Sequence, residues 1–187
     1  MKTTTYPTIG WGKETFLPLA LTETTCKFEW TVQPGGSVPT HLHKESDEPF
    51  EVLEGELVFI VAGKAVVIRA GETITIPHMV PHSLHNKSNA EVRCRVSYTP
   101  AADQSKFFQV LIFLKENSIE GMGAMFRTMY ICDQLGYREF STVTGGMKAF
   151  MGLLIGCFRL LAPLNGWAKL VKQFVQEKVK PHLQVQL

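Results

Sequence analysis

Over the first hundred residues, apolar positions recur at every second residue in short stretches, the period of a strand with one face buried. Cys26, Phe28, Trp30 and Val32 share one face of such a stretch and Lys27, Glu29 and Thr31 the other, and Gln33-Pro34-Gly35-Gly36 ends it. The alternation returns at Val92, Cys94, Val96 and Tyr98, with Arg93, Arg95 and Ser97 pointing outward. Between them lie Pro49 to Leu53, Leu57 to Val61, Ala65 to Arg69 and Thr73 to Ile76, punctuated by Gly55, Gly63 and Gly71. Short strands at this spacing predict an antiparallel sandwich or small barrel. After Pro100 the period lengthens to that of helices. Phe107, Phe108, Leu111 and Leu114 form one stripe, Met122, Phe126 and Met129 a second, and Phe150, Met151, Leu154, Ile155, Phe158 and Leu161 a third. A last helix is expected to start at Pro163 and stop at Pro181, with Leu164, Trp167, Val171, Phe174 and Val175 on one side. The expected organisation is a β domain over residues 1–100 and a helical extension over 101–187, packed on the barrel or at an oligomer interface.

Composition narrows the function classes. The chain has 187 residues and a net charge of only +2, without an aromatic-interleaved basic stretch in its first 140 residues, so nucleic acid is not an expected partner. Cys26, Cys94, Cys132 and Cys157 are widely spaced and form no C-x-x-C pair, which reads as reduced thiols rather than a zinc knuckle or disulfide lattice. Met1 to Gly10 contains no apolar core of a secretory signal, and a cytoplasmic location is expected. In 147–187, Lys148, Arg159, Lys169, Lys172, Lys178 and Lys180 face Glu177 alone. The nearly all-apolar run from Ala149 to Leu164 is shorter than the roughly 20 residues needed to span a bilayer and is interrupted by Arg159 and Pro163, so it is read as a helical cap or interface and not as a membrane segment.

Candidate chemistry is concentrated in one window: five of the six histidines fall between positions 41 and 85. His41 and His43, two residues apart on an expected strand, point to the same face and can chelate one ion. Glu48 follows across the polar turn Lys44-Glu45-Ser46-Asp47 and can return a carboxylate to the same place, and His82, after Gly71 to Pro77, completes three imidazoles and one carboxylate. His85 falls on the opposite strand face from His82, His78 lies in the Pro77 to Pro81 turn and is given no ligand role, and His182 reads as a solvated tail residue.

The spacing resembles the cupin superfamily. Its first motif is a glycine, five residues, His-x-His, three or four residues, Glu, six residues and a glycine, and here it is filled by Gly35, His41, His43, Glu48 and Gly55. The second is a glycine, five residues, Pro-x-Gly, two residues, His, three residues and Asn, and here it is met by Gly71, Pro77, His82 and Asn86, with Met79 in place of the inner glycine. The resemblance implies a small jelly-roll barrel in which His41, His43, Glu48 and His82 bind one divalent transition metal (Fe, Ni, Mn, Co, Cu or Zn), and it implies a homodimer. Such a donor set leaves coordination positions for water, substrate or dioxygen. By strand parity, Phe50 and Val52 share the face of Glu48, Leu84 that of His82, and Tyr98 belongs to the inner row of the last strand, so these four are the expected walls of an apolar substrate pocket. The functional expectation is a metal-dependent dioxygenase acting on a small organic substrate, with Glu48 alternating between ligand and general base. An isomerase or lyase using the ion as a Lewis acid, and a non-catalytic small-molecule-binding barrel, are the alternatives. Leu161 to Trp167 and Lys106-Phe107-Phe108 are also similar to the helical extension of some bacterial cupins described as quercetin-dioxygenase-like.

Overall fold

The computed structural model describes residues 6–137, 142–143 and 146–183. Ten strands come first: β1 (Ile9–Trp11), β2 (Glu14–Leu21), β3 (Cys26–Val32), β4 (Ser37–Leu42), β5 (Glu48–Glu54), β6 (Glu56–Val61), β7 (Lys64–Arg69), β8 (Thr73–Ile76), β9 (His82–His85) and β10 (Val92–Tyr98). Helices α1 (Gln104–Glu116) and α2 (Gly121–Leu135) follow, then a two-residue strand β11 (Thr142–Val143), α3 (Gly146–Leu161), a 3-10 turn at Pro163–Asn165 and α4 (Trp167–Leu183). The fold is therefore mainly β with a helical extension. All strand pairings are antiparallel, in two sheets ordered β1-β2-β3-β10-β5-β8 and β11-β4-β9-β6-β7.

The expected strands between Cys26 and Tyr98 are present. Their cause is visible in β3 and β10, where every second residue is buried, and Cys94 pairs with Trp30 on one side and Val52 on the other. Cys26, Phe28, Val32, Phe50, Val52, Leu57, Phe59 and Val96 fill the space between the sheets. The sequence reading did not identify β1 and β2. Pro18 interrupts the alternation of β2, and the register slips between Pro18 and Ala20, so this strand carries no clean period.

Tight turns hold the sheets in register. Gly55 adopts φ +80° between β5 and β6, and a Cβ there would come 2.9 Å from Val92 Cγ2, so both conformation and space demand glycine. Asn86 is fully buried and donates from Nδ2 to the carbonyls of Val32 (2.9 Å) and Ala90 (2.8 Å), while its Oδ1 accepts from the Ser88 backbone and hydroxyl. This motif residue thus joins the end of β3 to the loop before β10.

Helix α1 seals the barrel. Phe108 and Leu111 join the barrel core, whereas Val110, Phe113 and Leu114 pack with Ile131, Cys132 and Phe174 in a second core between α1, α2 and α4. The last helix departs from expectation at both ends: Pro163 opens a 3-10 turn, Gly166 breaks it at φ +73°, and α4 runs two residues past Pro181. Trp167, Val171 and Phe174 face inward, but Leu164 and Val175 are exposed. The α3 stripe is likewise split: Phe150 and Leu161 are exposed, whereas Met151, Leu154, Ile155 and Phe158 are half-buried, and Leu153 and Leu160 on the other side of the helix are exposed as well. Arg159, which interrupts that stripe, donates from Nε and Nη2 to the two Asp133 carboxylate oxygens at 2.8 and 2.7 Å. Among the described residues, no helix is long and apolar enough to cross a membrane.

Met79, in the place of the motif glycine, adopts φ +62° at the third position of the Pro77 to Val80 turn, and its backbone N–H donates to the His43 carbonyl at 2.7 Å. A side chain there costs about 1 kcal/mol of left-handed strain, and Met79 is 57% exposed, so it recovers little by packing. Met79→Gly is expected to stabilise the protein by about 0.5–1 kcal/mol, read as a higher urea midpoint at an unchanged slope. A lower midpoint would mean that the methionine side chain supports the turn.

Candidate metal centre

Three strands meet at the site. His41 lies near the end of β4 opposite His82 on β9, and Glu48 opens β5. His43 follows β4 by one residue and keeps its parity, so the polar turn from Lys44 to Asp47 returns the chain with Glu48 facing the same interior. All four side chains are buried, and one ligand atom from each lies within 4.8 Å of every other. His41 and His82 rings stand 4.3 Å apart by centroid, and the Tyr98 ring closes on His43 edge to face at 5.0 Å.

Each imidazole is oriented by a second partner. His41 Nδ1–H donates to the Pro39 carbonyl at 2.8 Å and His82 Nδ1–H to the Val80 carbonyl at 3.0 Å. The Gln104 side-chain amide sits 2.9 Å from His43 Nδ1, so α1 contributes to the site. These contacts leave Nε2 of each ring for the centre, the arrangement found around bound metal ions. Glu48 Oε2 lies 2.9 Å from His82 Nε2 and 3.2 Å from His43 Nε2. The donor set therefore fits a transition ion: three oriented imidazoles and one carboxylate, all withdrawn from water.

The electrostatics follow from that packing. Burial opposes the Glu48 carboxylate, but hydrogen bonds from His43 and His82 outweigh it and hold the group well below the ordinary carboxylate range. Burial likewise opposes charge on His82, yet the hydrogen bond to Glu48 prevails and raises it. His41 is pushed down to about 4, chiefly by burial, and stays neutral at pH 7. Tyr98 is raised well above its usual range by burial and by Glu48, so it remains a phenol.

A cavity of about 560 Å³ opens from the cluster, bounded by β strands on one side and by α1, α2 and α3 on the other. Of the four expected wall residues, Leu84 and Tyr98 line it, together with His41 and Glu48 of the cluster. Phe50 and Val52 fill the barrel core instead: Phe50 packs against Trp30 and Phe59, and Val52 pairs with Cys94. Phe28 and Trp30, from the apolar face that alternation gives β3, also line it, and the remaining wall comes from parts that the alternation does not reach, among them Glu14 and Phe16 of β2 and Met125, Met129 and Met151 from the helices. Once β2 is known, its parity places Glu14 and Phe16 on one inner face. His78 is exposed and pairs through Nδ1 and its backbone N–H with Asp47 Oδ1 at 2.9 and 2.8 Å, tying two turns together outside the cluster. His85 is half-buried on the strand face opposite His82, and the His182 side chain lies outside the described residues.

Comparison with known proteins agrees with this architecture. The cupin domain family matches residues 28–98. Germin-like protein 3-5 of Oryza sativa subsp. japonica is 32% identical over 88 residues, covering 43% of this chain and 39% of the rice protein. Quercetin 2,3-dioxygenase of Bacillus subtilis is 32% identical over 78 residues, covering 41% of this chain and 22% of that protein. The match thus spans about two fifths or less of either relative's length. An RmlC-like cupin from Shewanella frigidimarina superposes with a TM-score of 0.49 at 19% identity, over 53% of this chain and 87% of that one.

Two outcomes test the cluster. His41→Ala combined with His82→Ala is expected to abolish stoichiometric metal binding while the far-ultraviolet circular dichroism stays that of the wild type; retained metal would overturn the ligand assignment. In the metal-free protein, His41 is depressed on folding from its ordinary 6.5 to about 4, so the unfolded chain takes up that proton first and stability falls as pH drops through this window. Glu48 adds a loss of the same sign at lower pH, and His82, being raised, acts oppositely as pH rises. His41→Gln should therefore lose less stability than the wild type between pH 6.5 and 4.5, by on the order of 2 kcal/mol in urea titrations.

Proposed function

We propose that this cupin domain with its helical extension is a metal-dependent dioxygenase acting on a small, largely apolar organic substrate. The observation that carries the reading is the juxtaposition of the buried His41, His43, Glu48 and His82 cluster with one end of an apolar cavity large enough for a drug-sized molecule. When bound, a divalent Fe, Ni, Mn, Co or Cu ion would supply positions for a substrate oxygen and for dioxygen. Among the described residues, the cavity lining includes no lysine or arginine and few hydroxyl groups to recognise a heavily hydroxylated sugar or a phosphate. One relative is named a quercetin 2,3-dioxygenase, which supports the same reading.

The protein's own groups have separate tasks. His41, His43 and His82 would hold the ion through Nε2, their Nδ1 sides being fixed by Pro39, Gln104 and Val80. An Nε2 that donates a proton to Glu48 is not a ligand, so loading the site releases that proton and frees the carboxylate from its hydrogen bonds. Glu48, which lines the cavity, is then the group placed to accept a proton from a substrate hydroxyl. The aromatic and methionine walls orient the substrate and exclude bulk water. A cytoplasmic location is consistent with four free cysteines, three of them buried, and a homodimer belongs to the same reading.

The test is elemental analysis of untagged protein purified without added metal, followed by oxygen uptake on flavonols, thiols and diketones. About one Fe, Ni, Mn, Co or Cu per chain with uptake on at least one class is expected. Zinc without uptake would overturn the oxygenase in favour of an isomerase or lyase, and absence of metal would leave a binding barrel.

A further inference from the structure

The cavity carries a second set of polar groups that the metal reading does not use. Glu14 lines it from the start of β2, Trp30 from the middle of β3 and Thr128 from α2. Trp30 is 4% exposed and Thr128 1%, yet the indole Nε1 and the hydroxyl Oγ1 are both left without a well-formed hydrogen bond. Buried polar groups in this state are rare, because leaving them unpaired costs roughly 1–3 kcal/mol each. The Glu14 carboxyl is pushed up to about 7 by burial, with the nearby Trp30 N–H pulling weakly the other way.

Strand register separates these groups from the metal cluster. Glu14 pairs with Val32, which pairs with Val92. Glu48 belongs to the opposite end of the same sheet, where the Asp47–Thr99 bridge continues the pairing of Val96 with Phe50 and where Tyr98 pairs with Cys26. Six residue steps of β3 separate the two rows, about 20 Å of backbone at 3.3–3.4 Å per residue, while the side chains converge inward, since Glu14 and Glu48 both act on Tyr98 and Cys94. The wall between is aromatic: Phe16 stacks on Trp30 at 5.7 Å and meets Phe28 and Phe108 edge to face. A carboxyl at the cavity wall with an indole N–H beside it, and a buried hydroxyl on another residue of the same wall, surrounded by flat apolar surface, form the complement of a hydroxyl group on an aromatic body.

We propose that Glu14 and Trp30, with Thr128 contributed by α2, form a hydroxyl-binding subsite, on a different strand row from the metal cluster, that selects aromatic ligands bearing a hydroxyl at the end away from the metal. Glu14 accepts the ligand's O–H, and the Trp30 N–H donates to its oxygen. The proposal rests on the cavity invoked above and deepens the substrate class, but its test requires neither metal nor oxygen, so it stands or falls separately from the dioxygenase.

The probes are 4-phenylphenol and 4-methylbiphenyl, which differ by a hydroxyl in place of a methyl group, titrated into full-length metal-free protein and followed by tryptophan fluorescence. A purely apolar cavity prefers the methyl compound, because that compound is the more hydrophobic. The wild type is expected to bind 4-phenylphenol about tenfold tighter than 4-methylbiphenyl. Glu14→Leu should reverse the preference, because an apolar side chain then meets the ligand's end in place of the carboxyl. Should Glu14→Leu fail to fold by circular dichroism, Glu14→Gln, of nearly the same shape, is expected to reduce the preference by at least about threefold. A wild type that prefers the methyl compound, that binds neither, or whose preference for the phenol survives these substitutions overturns the subsite.

Discussion

A carboxylate buried inside an apolar barrel is tolerable only where fixed donors replace the water it has lost. Glu48 meets that condition because His43 and His82 both reach its Oε2. Much of the surrounding structure serves the same requirement: His41 and His82 face each other across the β4–β9 pairing, backbone carbonyls at Pro39 and Val80 orient their rings, and Gln104 is brought in from α1 to orient His43. Without an ion, the cluster satisfies itself as an imidazolium–carboxylate pair. The same inward geometry suits a cation, which would take the place of the proton.

The helical extension changes what such a barrel encloses. Phe108 and Leu111 of α1 complete the barrel core, and α2 and α3 add methionine and phenylalanine side chains over the cavity. Methionine is unbranched and polarizable and adapts to irregular apolar shapes, so this wall accommodates a ligand that the β portion alone would leave exposed. Meanwhile α3 turns Leu153, Leu160 and Leu161 outward, and its anchoring to α2 relies on the Arg159–Asp133 pair as well as on packing such as Phe126 against Phe158.

The strands from Cys26 to Tyr98 were legible because their residues alternate and glycines mark their ends, and the buried cluster was legible because motif spacing preserves parity between His41, His43, Glu48 and His82. Leu84 and Tyr98 followed from the same parity. Phe50 and Val52 did not, since parity distinguishes inside from outside but does not say whether an inward side chain meets a cavity or another side chain. Glu14 was illegible for a different reason: β2 carries Pro18 and a register slip, so its period is obscured and no motif contains it.

Alternation and spacing are local properties of the chain, and by themselves they determined a β barrel followed by helices and four inward side chains of a kind that can hold a metal ion. The tertiary structure alone decided which inward residues line open space, that Gln104 reaches His43 across 61 positions of sequence, and that Met79 occupies a left-handed turn otherwise suited to glycine. The physical reason is that cavities and long-range hydrogen bonds depend on how distant elements pack, and packing of α1, α2 and α3 against the barrel leaves no periodic trace in the residues that meet there.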